Sequence, residues 1–453
     1  MTDLKTIKHV YFIGIGGIGM SALARFFRSR GVRVSGYDRT STPLTRELEE
    51  NGATITYVDS ASGLPDDVDI VVFTPAIPSE NSIRAHFEAT GMPLLKRSDV
   101  LQIVSADSFN ICIAGTHGKT TISTMTAHLL RHSGYGCNAF LGGISANYRT
   151  NFWSDPRNTS VIEADEYDRS FLKLSPDLAV ISAMDPDHLD IYGTAEAMEE
   201  AFIAFSERVR PGGTLYCRKG LKREHDLRAP KQFSYAGNDA GADIHAANLV
   251  VVDGAYQYDV VGDGWSLKGL TLHMGGLHNV ENSVVAIAIA HELGIPDQKI
   301  REAVEAFKGV RRRFEQVVNR PGRIYVDDYA HHPEELRALI EGARSLFPGK
   351  SCTMVFQPHL FTRTRDLADG FAQSLDLADE VVLLPIYPAR EKPIPGVSAE
   401  TITGRMKNPN RQVMEKDRLM TWIEERMPEL LITAGAGDID QLTTQIAGIM
   451  NKN

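Results

Sequence analysis

The sequence predicts an α/β protein of three units, each a largely parallel sheet covered by helices. Short apolar runs alternate with helical stretches along most of the chain, the pattern of repeated strand–helix–strand units. Two glycine-rich turns, Gly14–Gly19 and Gly115–Gly118, each follow an apolar run and open a helical stretch. Each is thus the start of its own anion-binding sheet. A further series of strands and loops begins after Arg313. At 453 residues the chain has room for about three domains. The limits read from the sequence are 1–106, 107–312 and 313–453.

Composition narrows the class. Apolar residues make up 43% and charged residues 23%, ordinary for a globular protein in water. A net charge of −10 argues against a general nucleic-acid surface. No apolar stretch approaches the ~18 residues of a membrane span, and Met1 to Val10 lacks the apolar core of a signal peptide. Cys112, Cys137, Cys217 and Cys352 are widely separated with no C-x-x-C pair, so neither a zinc site nor a disulfide framework is indicated. The expectation is a cytoplasmic protein with neither nucleic-acid nor membrane partners.

In the first unit, Val10–Ile13 reads as a strand, Met20–Arg30 as a helix ended by Gly31, and Val32–Tyr37 as a second strand. Gly14, Gly16 and Gly19 satisfy G-x-G-x-x-G, with Gly17 beside them, and Asp38 stands where an acidic residue meets a ribose. Alone this predicts a dinucleotide such as NAD. The glycines serve any nucleotide diphosphate equally, a UDP-sugar included.

The second unit centres on Ile111–Thr121, I-C-I-A-G-T-H-G-K-T-T. A strand, a turn through Gly115, Thr116, His117 and Gly118, and a helix opening at Lys119, Thr120 and Thr121 form a phosphate cradle. Lys119 supplies charge for terminal phosphates and Thr120 a hydroxyl for Mg²⁺. Ile113 stands where the longer phosphate loop has its first glycine. Ser160–Ala164 reads as a strand ending in Glu163, Asp165, Glu166 and Asp168, and Glu163 suits a cation ligand. Leu178–Met184 is another strand, followed by Asp185–Asp190 with His188. His278, Asn279 and Asn282 precede a helix read from Ser283; amides three residues apart match an adenine edge, and helix capping is the structural alternative. Ala236–Leu272 reads as antiparallel strands added to the core.

In the third unit, Arg323–Val326 reads as a strand followed by Asp327, Asp328, Tyr329, Ala330, His331 and His332 before a helix at Pro333. Cys352–Phe356 is followed by His359, Arg363 and Arg365, side chains suited to carboxylate or phosphate.

Taken in order, these pieces resemble the Mur ligases, the ATP-dependent ligases that build the peptide stem of peptidoglycan. G-I-G-G-I-G-M-S, G-T-H-G-K-T-T, E-A-D-E-x-D, D-H-x-D, H-N-V-E-N, R-R-F, D-D-Y-A-H-H-P and F-Q-P-H-x-x-T-R-T carry the resemblance from Val10 to near Asp438. It implies ATP as co-substrate, with Lys119 and Thr120 on its phosphates and Thr120, Glu163 and His188 around Mg²⁺. His278, Asn279 and Asn282 would meet adenine, Arg313 the ATP phosphates and Asp328 the ribose. Tyr329, His331, His359 and Arg363 would line the amino-acid and acyl-phosphate region, with His331 or His359 as proton acceptor. The glycine turn at Gly14–Gly19 would hold the diphosphate of a UDP-sugar.

The implied reaction joins L-alanine to UDP-N-acetylmuramate through an acyl phosphate, in a monomer or weak homodimer. Two positions depart from the pattern: Tyr167 replaces a serine, and Leu360 replaces an arginine, leaving Arg363 or Arg365 for the anion. Tyr167 also occurs in the family's murein-tripeptide recycling ligase, the alternative within the family. Outside it stand an NAD-dependent oxidoreductase, which leaves Gly115–Thr121 unexplained, and a non-catalytic nucleotide-binding regulator.

Overall fold

The computed structural model describes residues 6–167, 169–186, 189–389 and 391–452. Three sheets follow one another along the chain. The first has five parallel strands in the order Thr54–Thr56, Arg33–Tyr37, His9–Ile13, Ile70–Phe73, Leu94–Lys96. Two of its inner strands, His9–Ile13 and Ile70–Phe73, are nearly unbroken apolar runs, as strands buried on both faces require.

The second sheet has ten strands. Its centre is Phe109–Ala114, flanked in parallel by Thr159–Glu163 and Leu178–Ile181. Glu163 pairs with Ile113 and Ile181 with Ala114, so the three strands end level. Loops leaving level parallel strand ends meet at one edge, which is where ligands bind in such sheets. Thr214–Arg218, Lys231–Ala236 and Ile244–Val252 extend the parallel part, and Ala255–Gly262 and Trp265–Leu272 add antiparallel strands. The third sheet has six strands, parallel except for Glu315–Arg320 at one edge. Among the described residues no helix is long and apolar enough to cross a membrane. The four cysteines are buried free thiols.

The helix after the second glycine turn begins at Lys119, and the later one begins at Leu277, not Ser283. His278, Asn279 and Asn282 therefore lie inside a helix.

The two junctions between sheets differ in kind. The first is packed: Phe26, on the helix Ile18–Ser29, meets Phe140 and Phe152 of the second sheet at ring-centroid distances of 5.7 and 6.1 Å. Asn151 Nδ2 donates to Ser21 Oγ and to the Ile18 carbonyl, and Lys173 pairs with Asp99. The second junction adds, to a packed contact in which Phe347 lies against Gly254 and Gly342 against Gly276, a short linker. Its start is tied to the central unit by Arg311 N–H to Ile144 O, 2.8 Å. Its end is tied to the third unit by Phe314 N–H to Asp328 Oδ2, 2.6 Å. Between them Arg312 has φ +60° and Phe314 +47°, left-handed conformations that side chains other than glycine adopt at a cost. Both junctions are packed, since the central and third units share a hydrophobic core that runs from Val280 and Met274 to Phe314, Leu336 and Phe347. Phe26→Ala is expected to lower the stability of the first two units together, by about 3–5 kcal/mol. Denaturant unfolding followed by one probe in each unit checks this; loss confined to the first unit would mean that the two do not share a core.

Candidate active site

The Gly115–Gly118 turn leaves the central strand and folds over its neighbour's end. Gly115 has φ +132°, and a side chain there would overlap Ser182 Oγ and the Ala183 backbone. Thr116 N–H donates to Ala183 O at 3.2 Å, its hydroxyl accepts from Asp185 N–H, and Ser182 Oγ donates to the Ala114 and His117 carbonyls. The turn is therefore fixed before any ligand arrives. Gly118, left-handed, precedes the helix Lys119–His132, whose open N–H groups face the turn. Thr121 is buried on that helix, while His117 is exposed, 3.8 Å from Asp185.

Two carboxylates meet this turn. Glu163 accepts from Thr120 Oγ1 at 3.0 Å and Gly142 N–H at 2.9 Å, with Ser123 Oγ at 3.3 Å. Burial raises its carboxyl above the usual range, against the pull of Lys119 and the Thr120 hydroxyl. Glu166 has no exposed side-chain surface, and its Oε1 accepts from Lys119 Nζ at 2.7 Å. Lys119 Nζ also donates to Gly115 O at 2.7 Å. Sequence reasoning grouped Glu166 with the acidic turn and gave it no role, because burial of one carboxylate among several is not visible in composition. Asp165 instead pairs with Arg97 of the first unit, 2.9 Å. Asp168 and His188 lie outside the described residues. Among the described residues no group of three His, Cys, Asp or Glu side chains gathers as a metal site. The oxygen pair of Thr120 and Glu163 has the hard-donor chemistry that Mg²⁺ takes alongside phosphate oxygens.

The amides fare differently from expectation. Asn279 Nδ2 donates to Gly275 O and Asn282 Nδ2 to Asn279 Oδ1, and both residues are buried. Asn279 thus secures the helix start, the structural role weighed against adenine recognition. Asn282 Oδ1 packs against Gly118, and His278 stays exposed.

The first glycine turn is largely self-satisfied. Gly14 and Ile15 N–H both donate to Tyr37 O, Gly16 N–H to Asp38 Oδ2 at 2.7 Å, and Gly17 N–H to Gly14 O. Asp38 therefore holds the turn itself, and the free donors shift to the helix opening at Ile18 and Gly19. Gly19 has no room for a side chain because the Arg97 guanidinium lies over it. A cavity of about 140 Å³ runs from Ile18, Gly19 and Arg97 to Leu141, Gly142 and Glu163, between the first and second units.

In the third unit, Asp328 accepts from Phe314 N–H (2.6 Å) and Ala330 N–H (2.7 Å), and burial raises its carboxyl against the charge of Arg313. Arg312 and Arg313 lie 5.2 and 5.7 Å from the Tyr329 ring centre. His331 Nδ1 is 2.9 Å from Tyr329 O. A carbonyl only accepts, so Nδ1 carries a proton and Nε2 is the ring nitrogen left to exchange one. Its ring is 6.4 Å from that of His359, which stacks on Tyr387. Arg363 Nη1 is 3.5 Å from His359 Nδ1, whereas Arg365 is exposed and spent on Asp366. Of the two arginines, Arg363 is the one facing the histidines. Leu360, with φ +69°, opens their helix.

A lysine–threonine phosphate turn, carboxylates on the adjoining strand end and a third unit bearing histidines and arginines define an enzyme of the phosphate-loop nucleotide-binding class. The chain belongs to the Mur ligase family. The family's models match in succession: the Mur ligase catalytic domain at residues 9–108, the middle domain at 113–290 and the glutamate ligase domain at 312–439. It is 45% identical to a UDP-N-acetylmuramate–L-alanine ligase of Phocaeicola vulgatus, over 99% of this chain and 100% of that one. It is 42% identical to the ligase of the same name from Flavobacterium johnsoniae, over the full length of both. The crystal structure of UDP-N-acetylmuramate–alanine ligase from Thermotoga maritima superposes with a TM-score of 0.82 at 28% identity, covering 97% of this chain and 98% of that one. A murein peptide ligase from Psychrobacter arcticus shares the fold, with a TM-score of 0.66 at 24% identity and coverage of 98% and 99%.

Lys119→Ala would leave the Glu166 carboxylate buried and unpaired, so it should destabilise the protein by about 3–5 kcal/mol as well as disarm the turn. Adding Glu166→Gln should recover most of that loss. Unfolding midpoints of the single and double variants check this; a Lys119→Ala protein as stable as the parent would contradict the buried pair.

Proposed function

We propose that this chain joins L-alanine to UDP-N-acetylmuramate, consuming ATP and releasing ADP and phosphate in peptidoglycan synthesis. The observation that carries the chemistry is Lys119 and Thr120 of the turn meeting Glu166 and Glu163 at the level strand ends, with Glu163 lining the cavity from the first unit. Full-length identity to ligases of that name carries the choice of substrates. On this reading residues 1–106 hold the sugar nucleotide, 107–312 hold ATP and 313–453 bring the amino acid.

A carboxylate is a poor electrophile, so the sugar's carboxylate takes the terminal phosphoryl group of ATP first. The acyl phosphate is then attacked by the neutral amine of L-alanine, and phosphate leaves. Lys119 and the helix N-terminus neutralise charge gathering on the transferred group. Thr120 and Glu163 would hold Mg²⁺, with His188 as a further ligand by resemblance. Bound there, the cation would screen the phosphate oxygens. His278 and Asn282 face the base end of ATP, and Arg313 its phosphates. Asp328 sets the linker against the third unit, which places the ribose. His331, through Nε2, takes the proton from the ammonium of alanine, and Arg363 beside His359 holds its carboxylate. The sugar nucleotide's diphosphate meets the helix opening at Ile18 and Gly19 together with Arg97, with Asp38 bracing the Gly14–Gly17 turn behind it.

Phosphate release from ATP and UDP-N-acetylmuramate should require L-alanine and give a product heavier by one alanine residue. Release only with the tripeptide L-Ala-γ-D-Glu-meso-diaminopimelate would move the assignment to tripeptide recycling; release with neither would contradict a ligase. In the same assay His331→Ala should lower kcat by about 100-fold, within the usual range for a lost general base, and His359→Ala should act mainly on KM for alanine.

A further inference from the structure

Glu166 is the acidic side chain closest to the ammonium of Lys119 among the described contacts, and the proposed reaction gives it no step. It links three loop ends. Its side chain reaches the phosphate turn through Lys119, and its backbone carbonyl accepts from Tyr192 Oη, 2.6 Å, on the helix Leu189–Tyr192 that follows the third strand end. Tyr192 is itself buried, with Arg169 over its ring. The Glu166 carboxylate is wholly buried, and among the described residues its Oε2 has no hydrogen-bond partner, so it is not a surface charge placed for solubility.

A lysine ammonium has three donors. Glu166 Oε1 and Gly115 O take two of them, each at 2.7 Å from Nζ. We propose that Glu166 is a positioning residue: by fixing two donors of Lys119 it aims the third at the phosphoryl group during transfer. A flexible lysine would otherwise be ordered at the moment of reaction, and pre-ordering it lowers the barrier more than it tightens resting ATP. The inference rests on the ligase reading above.

The test compares kcat, KM for ATP and thermal midpoint for the parent, Glu166→Gln, Glu166→Asp and Tyr192→Phe. Glu166→Gln, which keeps the shape and removes the charge, should lose about tenfold or more in kcat, with KM for ATP within about threefold of the parent. Glu166→Asp keeps the charge and shortens the reach, and should fall between the two. A Glu166→Asp enzyme equal to the parent would show that charge alone matters and overturn positioning. So would unchanged kcat per folded molecule in Glu166→Gln, or a change confined to KM. If Glu166→Gln does not fold, Tyr192→Phe decides. It frees the tether while leaving the carboxylate, and about a two- to fivefold fall in kcat is expected; an unchanged kcat overturns the proposal. Should the parent itself turn over nothing with both substrates, the functional reading has failed. The lysine claim is then read separately from labelling of Lys119 by pyridoxal phosphate. Labelling several-fold faster in Glu166→Gln supports it, and equal rates reject it.

Discussion

The buried ion pair between Lys119 and Glu166 is the constraint around which the active region is arranged. A carboxylate with no exposed surface is tolerated only when a cation meets it, and here the cation is the lysine of the phosphate turn. The pair can form only if the central strand and its neighbour Thr159–Glu163 end at the same level, which their parallel register provides. Burial pushes the Glu166 carboxyl upward, opposed by the Coulombic pull and hydrogen bond of Lys119. The two side chains therefore fasten the turn to the neighbouring strand end.

Around that pair the three units are joined in different ways. The first two are joined by aromatic packing and by the Arg97–Asp165 ion pair, so the cavity between them is a fixed channel leading toward Glu163. The third is joined through a linker with left-handed residues, anchored on each side by backbone hydrogen bonds. The third unit also packs on the central one, with Gln316 Nε2 donating to His273 O and Gly342 against Gly276.

Much of this was legible in the sequence. Alternating strands and helices gave the α/β class, and Gly115–Thr121 announced its cradle because the turn's chemistry is local. The acidic strand end at Glu163 was legible for the same reason. What escaped depended on contacts distant in sequence. The G-x-G-x-x-G pattern cannot reveal that Asp38 occupies the Gly16 amide, nor that Gly19 makes room for Arg97 from a helix far along the chain. Asn279 and Asn282 looked like paired recognition groups, whereas their amides are spent largely on the helix start and on each other. Arg363 and Arg365 were indistinguishable until Asp366 was seen to hold the second. Burial is set by tertiary packing, so the role of Glu166 emerged only in three dimensions.

The account's central claim is that ATP sits at the Gly115–Thr121 turn, with the Gly14–Gly19 turn left to the other nucleotide. A crystal structure with a non-hydrolysable ATP analogue and Mn²⁺ in place of Mg²⁺ tests this most directly. The account predicts an anomalous peak beside Thr120 and Glu163, and a terminal phosphate within hydrogen-bond distance of Lys119 Nζ. The analogue seated on the Gly14–Gly19 turn, with Lys119 still engaged only by Glu166 and Gly115, would contradict it.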